Sequence, residues 1–125
     1  MGQTPEQNFE DMADAIVRSL TALQEAARRL PLPIVLPKLR SGMSAHEFID
    51  PIKGLRTMLE AEPIPETVIA RIDQAALGIL ASIELTQIAA ADEIDWRYDA
   101  VHMICTTAVI AARLAEQDLR KPRRR

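Results

Sequence analysis

Asp95, Asp99 and His102 have the types and spacing to move a proton. They stand at i, i+4 and i+7, so on a helix they share one stripe. Carboxylates placed that way favour the charged imidazole. The simpler reading is a solvated salt-bridge row, because surface ion pairs are common and contribute little. Metal binding is the next chemistry to weigh. Helical di-iron proteins supply Glu-x-x-His from two helices and a Glu from each of two others. Here Asp99-x-x-His102 is a single half of that pattern, and the other histidine, His46, stands beside Glu47 and Asp50 without making a second half. Zinc or iron needs more ligands than this, so neither a metal nor another cofactor is expected.

The lone cysteine, Cys105, excludes an internal disulfide and a cysteine cluster for zinc. Between Ile104 and Thr106 it reads as a small buried apolar residue. Gly42, Gly54 and Gly78 are isolated and no strand precedes them, so there is no Gly-rich phosphate loop. No serine or cysteine sits in a nucleophile motif. No residue is therefore assigned a catalytic role, and the balance leans away from an enzyme.

One short motif points the other way. Arg97-Tyr98-Asp99-Ala100-Val101-His102 is an Arg-x4-His. It resembles the signature of HEPN-type ribonucleases, helical bundles that dimerise around that motif. The resemblance covers these residues alone. It implies that Arg97 stabilises phosphate charge and that His102 acts in acid/base transfer.

The elements that must position these residues follow from periodicity. From Asp92 to Leu119, apolar or small residues recur at Ile94, Tyr98, Val101, Cys105, Ala108, Ala112, Ala115 and Leu119. That spacing is one face of a long helix, with Asp92 or its neighbour as the cap. Near the chain's start, Thr4-Pro5-Glu6-Gln7 has the form of a cap, a first-turn proline and a capping box. The stripe behind it is Phe9, Ala13, Ile16, Leu20, Leu23, Ala27 and Leu30. Pro31, Pro33 and Pro37 stop that helix and impose an extended path. The segment also carries Leu32, Ile34, Val35 and Leu36. It is expected to lie across the bundle, or else to dock on a second copy. A turn at 44–49 leads into a helix at 50–61, with Asp50 as cap and Phe48, Ile52, Leu55 and Leu59 as stripe. Glu62-Pro63-Ile64-Pro65-Glu66 breaks the chain again.

The third helix, about 66–90, has its main stripe at Ile69, Ile72, Ala76, Ile79, Ile83 and Ala90. Leu77, Leu80, Leu85 and Ile88 fall outside it, so the helix is apolar nearly all round and has a face to spare. Asp73 and Glu84 beside them must be paired, rim-exposed or neutral. The fold expected is all-α: a four-helix antiparallel bundle with a proline-rich apolar crossover between helices 1 and 2. Residues 1–119 form the single domain and 120–125 a basic, disordered tail.

Composition agrees. Hydrophobic residues make up 48% and aromatics only 3%, so the core must be aliphatic and alanine-rich. The first ten residues are polar and do not read as a secretory signal. The longest apolar run is shorter than the about 20 residues a membrane span needs. A cytoplasmic protein is expected. Charge is segregated: residues 28–59 carry six bases and two acids, while residues 60–119 carry eleven acids and three bases.

The leading reading is a non-enzymatic protein–protein interaction module, a small helical adaptor, regulator or assembly chaperone acting as a homodimer or in a complex. Its expected interface is Leu77, Leu80, Glu84 and Ile88 with Ile34 and Val35. The alternative is a nucleic-acid-binding regulator using Arg28, Arg29, Lys38, Arg40, Lys53 and Arg56 together with the terminal arginines. The HEPN-like ribonuclease ranks third.

Overall fold

The computed structural model of the chain describes the backbone of residues 4–31, 36–37, 45–92 and 95–120, and their side chains except at 5, 8–9, 45–46, 87–92 and 95. Within these residues the protein is all-helical, with four α-helices and no strand. They are α1 (Pro5–Arg28), α2 (Ile49–Leu59), α3 (Glu66–Asp92) and α4 (Asp95–Arg120), with a short 3-10 turn (Ala45–Phe48) leading into α2. None is long and apolar enough to cross a membrane, among the described residues.

α1 starts as the sequence expects. The Thr4 hydroxyl accepts from the Gln7 N–H at 3.2 Å, and the Thr4 N–H donates to Gln7 Oε1 at 3.0 Å. Two otherwise orphaned donors are satisfied at once. Its buried face keeps Ile16, Leu20, Leu23, Ala27 and Leu30 of the expected stripe and widens to one side of it, onto Met12, Ser19 and Ala26. Ala13 is exposed. A serine can sit on that face because its hydroxyl donates to the Ile16 carbonyl at 2.7 Å. Beyond α1, Leu36 is buried, and Gln24 Nε2 donates to the Pro37 carbonyl at 2.6 Å. This part of the proline-rich segment packs on the chain's own body. Ile34 and Val35 lie outside the described residues.

Two helix boundaries differ from expectation for local reasons. In α2, Phe48 takes the cap position without a side-chain hydrogen bond, and Asp50 falls inside the first turn. Pro51 is also in that turn, where a missing N–H breaks nothing. The chain from Glu60 to Glu62 tightens into i→i+3 bonds, so the helix ends at Leu59 instead of residue 61. Asp92 does not cap the last helix; it is the final residue of α3, and α4 begins at Asp95.

Phe48, Ile52, Leu55 and Leu59 are all buried, as are Ile72, Ala76, Ile79 and Ile83 of α3 and Tyr98, Val101, Cys105, Ala108, Ala112 and Ala115 of α4. The core forms where α1, α3 and α4 meet, and α2 packs chiefly on α3. Residue pairs give the directions. Arg71 meets Asp118, Gly78 meets Ala108 and Ser82 meets Cys105, so α3 and α4 run in opposite senses. Cys105 also lies by Ser19, and Arg29 by Glu116, so α1 and α4 rise together. A Cβ added at Gly78 would stand 3.3 Å from the Ala108 Cβ. The small residues of α3 and α4 thus permit a close approach of the two helices.

Candidate interaction surfaces

The polar groups inside the core are engaged with one another. The Cys105 thiol lies 3.3 Å from the Ser82 hydroxyl, which donates to the Gly78 carbonyl at 2.8 Å. Burial raises the thiol's pKa; hydrogen bonds with Ser82 and Ser19 and the charge of Arg18 oppose it with smaller effect. A neutral, enclosed thiol is a poor nucleophile. Among the described residues, no three His, Cys, Asp or Glu side chains come together as a metal would require.

Asp99 is exposed and His102 half-buried on α4, while the side chain of Asp95 lies outside the description. Arg97 and His102 are five residues apart on one continuous helix, which separates them by about 140° around its axis. The Arg97 guanidinium carbon lies 5.2 Å from the centre of the Trp96 ring. α4 by itself therefore does not bring Arg97 and His102 together around one phosphate.

The basic block is divided. Lys38 and Arg40 lie outside the described residues. Arg29 stands by Glu116 at 3.7 Å, at the C-terminal end of α4. Arg56 is held by Asp73 at 2.5 Å across the groove between α2 and α3, and the hydrogen bond to Asp73 raises the guanidinium's pKa. That groove is lined by Lys53, Arg56, Thr57, Glu60, Glu66 and Asp73, so its acids outnumber its bases. Two of the four described members, Arg28 and Lys53, are exposed.

The spare face expected on α3 is only partly spare. Leu77 is 45% exposed and Glu84 is exposed. Leu80 is half-buried and packs on the core, as does Leu85. The side chain of Ile88 lies outside the description. Asp73 and Glu84 resolve as paired and solvated, respectively.

A larger apolar surface lies on α4. Trp96 is 63% exposed, Met103 70%, Ile110 54% and Leu114 40%. With Ala100 and Thr107 they make one stripe at spacing 4, 3, 4, 3, 4, on the side of α4 opposite its buried face. The outer stripe repeats the inner one two residues earlier: Trp96, Met103 and Ile110 against Tyr98, Cys105 and Ala112. Its sequence signal is that shifted repeat, which the stronger inner period obscures. A shallow groove between α3 and α4, lined by Gln74, Gly78, Met103, Ile104 and Thr107, opens beside it. Comparison with protein-family models, with curated proteins and with solved structures gives no match for this chain.

Proposed function

We propose that this protein is a non-enzymatic protein–protein interaction module, a small helical adaptor, regulator or assembly chaperone working in the cytoplasm. The observation that carries the reading is the row of exposed apolar side chains, Trp96, Met103, Ile110 and Leu114, along the outer side of α4. Isolated exposed hydrophobics are ordinary, but an aligned row of them costs solubility unless a partner covers it. The reading takes the four helices as one bundle, with the proline-rich segment crossing from α1 to α2. Burial of Leu36 and the Gln24–Pro37 hydrogen bond support that path. A single cysteine kept as a buried thiol suits a reducing compartment.

Native mass spectrometry of the protein purified from its own cells at low salt tests the reading. The expected species is the chain in complex with whole polypeptides, copies of itself or others. A bare chain, or one carrying only nucleic acid, a metal or a small molecule, overturns it.

A further inference from the structure

We propose that the outer face of α4 is a self-docking surface, on which two copies of the chain pair α4 against α4 in opposite directions across a two-fold axis. This rests on the interaction-module reading and names its partner as a second copy. Trp96, Ala100, Met103, Thr107, Ile110 and Leu114 alternate at steps of four and three, the seam of a two-helix coiled coil. The seam is continuous for about 28 Å of helix at 1.5 Å per residue. It lies on the outer side of α4: Cys105 and Ala108 turn inward to α1 and α3, while Trp96, Met103, Ile110 and Leu114 stay exposed, with Met103 and Thr107 edging the groove to α3.

Size and charge select one register. When Met103 faces the partner's Thr107, Ala100 faces the partner's Ile110 and Trp96 faces the partner's Leu114. Large side chains then meet smaller ones in the central layers, and the bulkiest residue lies at the ends of the seam, where space is open. The same register sets Asp99 opposite the partner's Arg113, and symmetry repeats the pair. Both residues are exposed on the same flank of the seam. A parallel pairing would stack each seam residue on its own copy and place Asp99 beside Ile104. It would also direct Arg113 to Asp118, which Arg71 already holds. The antiparallel two-fold is the arrangement in which the chain's own charges complement each other.

Sedimentation velocity on the full chain, from micromolar to hundreds of micromolar, tests this. The wild type is expected to sediment as a dimer. Ile110→Glu places two charges in the seam and should weaken the dimer at least about a hundredfold. Asp99→Arg or Arg113→Asp alone should weaken it about tenfold, since each turns two attractive pairs into repulsive ones. The two together should return it to within about threefold of the wild type. All three positions are exposed, and unchanged far-ultraviolet circular dichroism will show that the fold is intact. A wild type that stays monomeric throughout overturns the proposal. So does a dimer indifferent to these substitutions, or one in which the two charge reversals add instead of cancelling. A monomer that still carries another polypeptide when purified from its own cells removes self-docking and leaves the interaction reading standing. A monomer that carries none removes both.

Discussion

Cys105 shows how burial sets chemistry at a single residue. The thiol's pKa is raised, chiefly because the core disfavours the thiolate. In the unfolded chain the thiol ionises near about pH 8.5. The folded state therefore gains stability from this site below that pH and loses it as pH rises through the folded pKa. Denaturant midpoints should fall above about pH 8.5, and Cys105→Ala should remove the thiol's share of the fall. Labelling by a thiol reagent at neutral pH should be slow in the native protein and fast once denaturant opens the core. Rapid labelling without denaturant would contradict the burial. The glycines offer a second contrast. Gly54 is exposed within α2, and a Cβ there meets nothing within 4 Å. Gly54→Ala should raise stability by about 0.5–1 kcal/mol, from the entropy a glycine loses in a helix. Gly78→Leu should lower it by about 1–3 kcal/mol, because the side chain would drive α3 from Ala108 of α4. Thermal melts of both variants check the two signs.

At the scale of elements, helix ends and helix partners behave differently. α1 carries its own start signal, and Thr4→Ala should cost about 1 kcal/mol by leaving the Gln7 N–H without its cap. A denaturant titration that shows no loss would mean that the cap is replaced by water. α2 is short, has no side-chain cap and packs chiefly on α3. Hydrogen exchange should find the amides of α2 opening before the central amides of α3 and α4, since local stability follows buried contacts. Equal protection across all four helices would argue against that placement. The ion pairs Arg56–Asp73 and Arg71–Asp118 mark how the helices are aligned, but each is about a third exposed and contributes little to stability.

For the whole molecule, the aliphatic, alanine-rich composition reappears as close contact among α1, α3 and α4. Ile79 is fully buried, and Ile79→Ala should cost about 2–5 kcal/mol, as truncations in dense cores do. A small two-state domain has only about 5–15 kcal/mol in hand, so a large drop in melting temperature is expected. A change near zero would mean that the core around Ile79 is loosely packed.

The chain's local patterns were enough to determine that it forms four helices, where α1 begins, and that Phe48, Ile52, Leu55 and Leu59 or Tyr98, Val101 and Cys105 turn inward. Those features depend on neighbours a few residues away, which periodicity and capping chemistry report directly. Tertiary structure alone decided which apolar residues stay outside. Leu77 and Leu80 are equally apolar and one helical turn apart, yet Leu80 packs on the core and Leu77 remains exposed. It also decided that Arg56 and Arg29 face carboxylates 17 and 87 residues away in the chain instead of forming one basic patch. Helical period says which residues share a face, but only the packing of helices distant in sequence says which face is covered. That is why the outer stripe of α4, written in the same period as the inner one, becomes a surface only when α1 and α3 are seen on the other side.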